Sequence, residues 1–356
     1  MRQALALAKK GRLTAPPNPW VGCVIVKEGQ VVGQGFHLAP GSAHAERIAL
    51  EQAGHHAQGA TVYVTLEPCS HHGRTPPCCD SLIQAGVKRV VIPMLDPDPR
   101  VAGEGKKKLE RAGVEVTCGV AQEEVEKELA PYLYHRHTGL PYCLVKIASS
   151  LDGKAALANG ESKWITTEEA RLDAHYLRAS SQAILIGSRT ACLDQPYLTV
   201  RGVKEPHCQP LRVVLDRRGT VPLLSPLFVT EFSSTLVFTS RYAPIEYLQG
   251  LEKLSVESVV LPQENELEFV LKTLGQRGVL QLMVEGGPCL QAAFFQRHLV
   301  QKVCVYLGAC LLGKGSIDAF AIPCVETMTQ VVNWRLDNVQ RLGQNVRLDY
   351  FPENSK

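Results

Sequence analysis

Residues Ala60 to Met94 read ATVYVTLEPCSHHGRTPPCCDSLIQAGVKRVVIPM. The stretch begins with an apolar, β-rich run, ATVYVTLEP, and ends with a second one, VKRVVIPM, and both are typical of strands. Between them the sequence predicts a helix from about Cys78 to Gly86, because Pro76-Pro77 are placed to start it. A strand, a helix and a strand in succession predict an α/β layer structure.

The same alternation continues on both sides of this stretch. Upstream, VGCVIVKEGQVVGQGFH predicts a hairpin with its turn at Glu28-Gly29, and AHAERIALEQAG predicts a helix. Downstream, a helix, a strand and a second helix lead to TGLP at 138–141, which we interpret as a linker. Strands then resume in YCLVKIAS, AILIGS, LRVVLD, STLVFTS, VESVVLP, LQLMVEGG and KVCVYLG. We therefore predict two α/β domains, residues 1–140 and 141–356.

Charge and cysteine content narrow the class of protein. The 356 residues carry a net charge of only +3 without a basic stripe, so we expect no nucleic-acid partner. No apolar run is long enough to span a bilayer, and MRQALALAKKGR lacks the apolar core of a signal peptide, so we expect no membrane association. The twelve cysteines are scattered along the chain, which favours a reduced, cytoplasmic protein whose Cys/His cluster binds metal.

A catalytic zinc site is the strongest chemical prediction. The motif HAE supplies His44 and Glu46, and the opening stretch supplies Cys69 and Cys78. One histidine and two cysteines are three protein ligands, which leave the fourth tetrahedral position of zinc open for water. A glutamate that does not bind the metal, two residues after the histidine, is typical of zinc deaminases, in which it transfers protons.

Two other interpretations remain open from these residues alone. A closed structural zinc in a non-catalytic binding protein would use Cys69, His71, Cys78 and Cys79, although adjacent cysteines fit one tetrahedron poorly and HAE would have no role. Alternatively, the chain is a nucleic-acid base deaminase with an appended binding domain, which its near-neutral charge disfavours.

The second half contains one local indication of a cofactor. In LMVEGGPCLQAAFF an apolar strand runs into Gly286-Gly287, and Pro288 then opens a helix. Glycines allow a phosphate to approach the backbone, and the helix start supplies N–H donors. An ordinary strand–turn–helix connection is nearly as good an interpretation. No G-x-G-x-x-G or Walker A pattern occurs in the sequence.

Several motifs together closely resemble the bifunctional riboflavin-biosynthesis deaminase/reductase family. They are PNPWVGCVIV (Pro17 to Val26), HAE, and TLEPCSHHGRTPPCC, in which eight residues separate the two zinc cysteines. The second half adds KIASSLDGKAALANGESKWIT, AILIGSRT, LTVR and VEGGP. The resemblance covers nearly the whole chain, with an N-terminus a few residues shorter than is usual for the family. The long gap between the cysteines is its most specific part.

For the first half, the resemblance implies a cytidine-deaminase-like three-layer domain that binds one zinc ion through His44, Cys69 and Cys78, with Glu46 as catalytic proton shuttle. It implies hydrolytic deamination of a small-molecule pyrimidine ribotide, 2,5-diamino-6-ribosylamino-4(3H)-pyrimidinone 5′-phosphate. The implied substrate contacts are Asn18, His37, His71, Arg74 and Asp96.

For the second half, it implies a dihydrofolate-reductase-like α/β domain that uses NADPH to reduce the ribosyl group of the deaminated product, with Lys154 near the reacting sugar. We also expect a homo-oligomer. The implied NADPH contacts are Ala148, Trp164, Thr190, Asp194, Gly287, Pro288, Cys289, Leu290, Gln291, Ala292 and Ala293. The implied substrate contacts are Ser162, Arg178, Leu198, Arg201 and Glu285. The chain departs from the family at Gln195, where a second acid is common.

Overall fold

The chain contains two compact units, Met1–Gly139 and Leu140–Lys356. The computed structural model describes residues 1–70, 76–99, 101–203 and 209–353. Within these residues no helix is both long and apolar enough to cross a membrane, and no cysteine forms a disulfide.

In unit 1, the described residues form a mixed sheet of order β2-β1-β3-β4-β5, in which β1 pairs antiparallel with β2 and β3, and β3, β4 and β5 are parallel. The strands are β1 Gly22–Lys27, β2 Gln30–Phe36, β3 Thr61–Val64, β4 Arg89–Ile92 and β5 Glu115–Cys118. The helices are α1 Arg2–Ala8, α2 Ala45–Ala53, α3 Cys78–Gln84, α4 Glu104–Arg111 and α5 Gln122–Thr138.

The first four residues of β1 are all buried although successive side chains point to opposite faces, so both faces of this sheet are covered. Cys23 of β1 pairs with Gly35 of β2, and a Cβ atom at Gly35 would lie 2.6 Å from the carbonyl oxygen of Ala45 in α2. A Cβ atom at Gly33 would lie 2.1 Å from the carbonyl oxygen of Ala49. Only glycine fits at such distances, so α2 lies directly on the backbone of β2. Helix α1 covers the opposite face, which gives three layers.

In unit 2, the strands are β6 Tyr142–Ser149, β7 Lys154–Ala156, β8 Ala183–Gly187, β9 Leu211–Leu215, β10 Thr235–Thr239, β11 Glu257–Val260, β12 Gln281–Val284, β13 Lys302–Leu307, β14 Ile317–Asp318, β15 Trp334–Leu342 and β16 Asn345–Pro352. The helices are α6 Glu168–Ala179, α7 Ser188–Asp194, α8 Ile245–Lys253, α9 Glu266–Gln276 and α10 Pro288–Gln296. In the described residues, the main sheet has the order β11-β10-β9-β8-β12-β6-β13-β16-β15, and β7 pairs with β14 separately.

The strands from β11 to β13 in this sheet order are all parallel, and β16 and β15 add an antiparallel hairpin at one edge. Successive residues of β6 point to opposite faces: Val145 packs with α9 and α10, and Leu144 packs with α6. Because both faces are covered, the strands are apolar runs. The carboxyl ends of the parallel strands meet at one edge, where ligands bind in open α/β sheets.

Candidate active sites

The three predicted zinc ligands come from the starts of two helices and the end of a strand. His44 is the N-cap residue of α2, and Cys78 is the first residue of α3, directly after Pro77. Cys69 follows β3 and accepts a hydrogen bond from the backbone N–H of Cys78, with 3.3 Å between N and Sγ. The local sequence therefore brings the three side chains to one point.

The distances among these atoms fit a tetrahedral metal. The Nδ1 atom of His44 lies 3.2 Å from Sγ of Cys78 and 3.6 Å from Sγ of Cys69, and all three ligand atoms lie within 4.8 Å of one another. Zinc–nitrogen and zinc–sulfur bonds of normal length at tetrahedral angles place N and S about 3.5 Å apart. Since the donors are also the types that zinc prefers, the residues present fit zinc with one position left open.

The electrostatics of this cluster favour an ionised cysteine. Hydrogen bonds from Cys78 and His44 lower the pKa of the Cys69 thiol to about 4. Glu46 lies in the first turn of α2 with only 4% of its surface exposed, and burial raises the pKa of its carboxyl group. The thiolate is the form that binds metal.

Cys79 does not point toward the other ligands. It is fully buried in the core beneath α3, and its Sγ donates a hydrogen bond to the carbonyl oxygen of Pro68 at 3.2 Å. The adjacent Cys78 therefore contributes to the cluster without it. The closed structural site considered above loses one of its four ligands, and another, His71, lies outside the described residues.

One of the predicted deaminase substrate residues, His37, lies beside a zinc ligand, and a second, Asn18, contacts His37. The ring centroids of His37 and His44 are 5.2 Å apart. Nδ1 of His37 donates to the carbonyl oxygen of Ala43 at 3.2 Å, so Nε2 accepts from the side-chain amide of Asn18 at 3.0 Å. Burial lowers the pKa of His37, which favours this neutral form. His71 and Arg74, also predicted to contact substrate, lie outside the described residues.

Asp96 is buried and held by two residues that the sequence did not single out. The hydroxyl group of Tyr132 lies 3.1 and 3.2 Å from its two carboxylate oxygens, and Oε2 of Glu67 accepts its backbone N–H at 3.0 Å. Burial raises the pKa of Asp96 to about 6. Glu67 could have been noticed as an acid directly after an apolar strand, whereas nothing in the sequence around Tyr132 indicates a polar contact.

In unit 2, an open cavity of about 1810 Å³ lies at the carboxyl ends of the parallel strands. Among its lining residues are these predicted ones: Ala148, Ser162, Trp164, Arg178, Thr190, Asp194, Leu198, Arg201, Glu285, Gly287, Pro288, Cys289, Leu290, Gln291 and Ala293. Of the predicted reductase residues, all of which the structure describes, only Ala292 and Lys154 are not part of the lining. Ala292 is buried in α10.

Lys154 lies next to the cavity without lining it. Its Nζ atom is 2.5 Å from Oδ1 of Asp318, and Asp318 and Ala155 do line the cavity. β7 and β14 bring the two side chains together by pairing Lys154 with Asp318. Lys154 is therefore linked to the cavity surface through its ion pair with Asp318.

A buried charge cluster forms one wall of the cavity. Nε and Nη2 of Arg178 donate to the two carboxylate oxygens of Glu285 at 2.7 and 2.8 Å, and Nζ of Lys146 lies 3.6 Å from Oε1. Burial would raise the pKa of Glu285, but Arg178 and Lys146 together lower it to about 2. Lys146 was not among the predicted residues. It is a charged residue inside the apolar strand segment YCLVKIAS, and this charge could have been noticed in the sequence.

The backbone around Gly287 fits a dinucleotide phosphate. Gly287 is the N-cap residue of α10, and its N–H donates to Oγ1 of Thr190 at 3.1 Å. A Cβ atom at Gly187, at the end of the neighbouring strand, would meet nothing within 4 Å, whereas one at Gly287 would lie 3.4 Å from Oγ1 of Thr190. In the first turn of α10, Pro288 contributes no N–H and the N–H of Leu290 donates to the carbonyl oxygen of Gly287 at 3.1 Å, so in this described turn the N–H of Cys289 is the donor left for a phosphate.

Comparison with known proteins identifies relatives of both units. A sequence profile described as cytidine and deoxycytidylate deaminase zinc-binding region matches residues 1–94, and one described as RibD C-terminal domain matches residues 141–348. The chain is 50% identical over 319 residues to the riboflavin biosynthesis protein RibD of Chlamydia trachomatis, covering 88% of this chain and 84% of that protein.

Solved structures agree over almost the full length. Acinetobacter baumannii RibD, form 1, superposes with a TM-score of 0.91 at 42% identity, covering 99% of this chain and 98% of that one. A diaminohydroxyphosphoribosylaminopyrimidine deaminase/5-amino-6-(5-phosphoribosylamino)uracil reductase from Thermotoga maritima superposes with a TM-score of 0.86 at 34% identity, covering 99% and 97%.

These similarities confirm the expected fold class, with a cytidine-deaminase-like region followed by a reductase region. A zinc-binding deaminase region and a reductase region in one chain require zinc and a pyridine nucleotide as cofactors. The nucleic-acid base deaminase with an appended binding domain is not favoured, because the second half matches a reductase.

Proposed function

The chain belongs to the RibD family of bifunctional riboflavin-biosynthesis enzymes, and on this premise we propose that residues 1–140 form its deaminase domain and residues 141–356 its reductase domain. The first would hydrolyse the 2-amino group of 2,5-diamino-6-ribosylamino-4(3H)-pyrimidinone 5′-phosphate. The product, 5-amino-6-(5-phosphoribosylamino)uracil, would then be reduced with NADPH to 5-amino-6-(5-phosphoribitylamino)uracil.

In the deaminase domain, His44, Cys69 and Cys78 would hold the zinc ion. Bound there, zinc would lower the pKa of a water molecule for attack on the ring carbon that carries the amine. The carboxylate of Glu46 takes the proton of that water and returns it, so that nitrogen leaves as ammonia. Asn18, His37 and Asp96 orient the pyrimidine, with His71 and Arg74 completing the set of contacts.

In the reductase domain, a bound nicotinamide cofactor would supply the hydride for C1′ of the sugar in its ring-opened imine form. Arg178 and Arg201 line the same cavity and are suited to bind the sugar phosphate. Glu285, kept ionised by Arg178 and Lys146, accepts hydrogen bonds from the substrate, beside Ser162 and Leu198. Lys154 stabilises the oxygen released by ring opening or transfers a proton to it, and its pairing with Asp318 would hold it at the cavity edge.

The convergence of His44, Cys69 and Cys78 beside buried Glu46 is the observation that carries this proposal. The test is a coupled assay on the purified protein, with zinc measured by elemental analysis and cofactor oxidation followed by absorbance. We expect Glu46→Gln to abolish deamination with zinc retained, and to keep reduction when the deaminated intermediate is supplied. Lys154→Met is expected to slow only the reduction.

Glu51→Gln is the matched control, since Glu51 lies on the same helix, is exposed and pairs only with Arg47 in the described structure. It should leave both activities unchanged. Deamination that survives in Glu46→Gln would refute the shuttle, and full reductase turnover in Lys154→Met would refute the role of that lysine.

We also propose that the enzyme is a cytoplasmic homo-oligomer that acts on free ribotides and not on nucleic acid. The small net charge and the unpaired thiols support this setting. Leu336 and Val339 support oligomerisation, because β15 is at the edge of its sheet and these side chains are 49% and 58% exposed. Light scattering of the purified protein tests the oligomeric state, and a monomer would contradict it.

A further inference from the structure

One titratable residue in the cavity wall of unit 2 has no role in the functions described above. His175 lies on α6, three residues before Arg178, and both side chains line the cavity together with Arg201. Residues three apart lie on the same face of a helix, so α6 presents the imidazole ring and the guanidinium group of Arg178 to the same part of the cavity. His175 is therefore next to the charges that are suited to bind the sugar phosphate.

The backbone that leads to Arg201 is held by side chains. Residues 195–203 belong to no helix or strand, so their backbone groups need other partners. The carbonyl oxygen of Thr199 accepts a hydrogen bond from Nη1 of Arg178 at 3.2 Å. The backbone of Val200 exchanges two hydrogen bonds with the side-chain amide of Gln209, at 2.7 and 3.2 Å. The segment is thus fixed at two consecutive residues directly before Arg201.

The imidazole ring of His175 extends this arrangement to the third residue. The backbone N–H of Arg201 donates to Nδ1 of His175 at 3.2 Å. An imidazole nitrogen that accepts a hydrogen bond carries a lone pair, so the ring is neutral. Burial, together with the positive charges of Arg178 and Arg201, lowers the pKa of His175 to about 4. The neutral ring is therefore the form present at pH 7.

A neutral acceptor is the appropriate group at this position. Nε and Nη2 of Arg178 are bound to Glu285, whereas the guanidinium group of Arg201 has no ion pair or hydrogen bond within the described part of the chain. A carboxylate in place of the imidazole could accept the same N–H, but it would also attract this guanidinium group. A lysine would offer no acceptor. Histidine fixes the backbone and leaves the charge of Arg201 free for an anionic ligand.

We propose that His175 is a positioning residue for the reduction: its neutral imidazole ring fixes the backbone of Arg201, so that the guanidinium group meets the phosphate of the ribotide. This inference rests on the proposed reductase function. A segment that is already ordered loses less entropy when the substrate binds. The contribution of His175 is therefore to binding of the phosphorylated sugar and not to hydride transfer.

Steady-state kinetics of the full-length protein separate positioning from chemistry. His175→Leu removes the acceptor, and we expect the KM for the deaminated ribotide to rise about 3- to 10-fold, with kcat and the KM for NADPH changed less than about twofold. His175→Asn keeps a neutral acceptor near the position of Nδ1 and should restore the KM for the ribotide. Tyr176→Leu is the matched control and should leave all three constants unchanged. Tyr176 is the next residue of α6, is 42% exposed and is not among the described residues that line the cavity.

A third variant, His175→Asp, separates the hydrogen bond from the charge. Its carboxylate can accept the N–H of Arg201, but it also pairs with the guanidinium group, so the KM for the ribotide should rise although the backbone stays fixed. Hydrogen exchange of the Arg201 amide in the free protein, followed by NMR after selective labelling of arginine, reports the backbone directly. Exchange should be faster in His175→Leu, and in His175→Asn and His175→Asp it should be as slow as in the unaltered protein.

An unchanged KM for the ribotide or unchanged exchange of the Arg201 amide in His175→Leu would overturn the proposal. A fall in kcat as large as the rise in KM would also overturn it, because a merely structural role affects both constants. If the leucine variant does not fold, the contrast between His175→Asn and His175→Asp remains decisive, and equal KM values in these two would refute the role of the neutral ring.

Failure of the proposed reductase function would be distinguishable from failure of this inference. An unaltered protein that reduces no ribotide would contradict the reductase function. Exchange of the Arg201 amide and binding of ribose 5-phosphate require no turnover and would still decide the role of His175. We expect ribose 5-phosphate to bind the unaltered protein more tightly than His175→Leu, and equal affinities would overturn the proposal.

Discussion

The paired charges of Arg178 and Glu285 allow a quantitative prediction. Both carboxylate oxygens of Glu285 accept from this guanidinium group, and the two side chains are only 16% and 13% exposed. We consider Arg178→Ala, which leaves the carboxylate buried with Lys146 at 3.6 Å as its remaining cation. Removal of one partner from a buried pair is far more costly than the net contribution of the pair suggests.

The pKa of Glu285 sets the magnitude of the expected change in the free energy of unfolding. Its lowering from an ordinary value of 4.5 to about 2 corresponds to about 3 kcal/mol of stability. Because the pKa is lowered on folding, this stability is fully present above pH 4.5 and is lost as the pH falls toward 2. In the variant, Lys146 retains part of the favourable interaction with Glu285. The loss of Arg178 also leaves the buried carboxylate without its main partner, which adds to the cost in stability. We therefore expect Arg178→Ala to lower the free energy of unfolding at pH 7 by about 3 kcal/mol.

Urea unfolding followed by circular dichroism measures this change, and hydrogen exchange in β12 localises it. Arg277→Ala is the matched control, because Arg277 also donates to both carboxylate oxygens of its partner, Glu257, at 2.8 and 2.5 Å. That pair is 35% and 53% exposed, so we expect its loss to cost less than about 1 kcal/mol. Equal costs for the two variants would refute the reasoning, since the difference in burial is what it relies on.

Three further predictions concern the deaminase domain. Cys69→Ser should lower the zinc content and abolish deamination, with reduction of supplied intermediate unchanged. Burial raises the pKa of Asp96 to about 6, so this carboxylate becomes protonated as the pH falls below about 6, and the KM for deamination should then rise. A KM that does not change between pH 5 and 8 would argue against a contact between Asp96 and the substrate. Tyr132→Phe removes a hydrogen bond that stabilises the ionised form, so the midpoint of this pH dependence should move upward, and an unchanged midpoint would contradict the role of Tyr132.

Much of the fold could be predicted because its strands are short apolar runs between turn residues. The hairpin turn at Glu28-Gly29 formed as predicted, with φ of 52° and 78°. The hairpin of β15 and β16 was not predicted, because most residues of β15 are exposed and the strand has little apolar periodicity. The order of the strands in each sheet could not be predicted from the sequence either, since it depends on contacts between residues distant in the sequence.

Some residues of the candidate sites could likewise be predicted from the sequence, and others could not. His44 and Cys78 could be placed because their helix starts are visible in the local sequence. Tyr132 could not be assigned, because its hydroxyl group meets Asp96, which is distant in the sequence. Lys146 is visible as a charge inside an apolar strand segment, but its partner Glu285 could not be read from the sequence. A tyrosine on the buried side of α5 has the same pattern whether or not its hydroxyl group contacts Asp96.

The close contact of α2 with Gly33 and Gly35 has a consequence for engineering and evolution. The helix that begins at His44 and carries Glu46 cannot move closer to β2, and any larger residue at either glycine would displace it from its present position relative to Cys69 and Cys78. The distance between the metal ligands and Glu46 is thus set by the packing of α2 on the sheet. Attempts to accept a different pyrimidine should therefore diversify the surrounding loops and leave this helix–strand pair untouched.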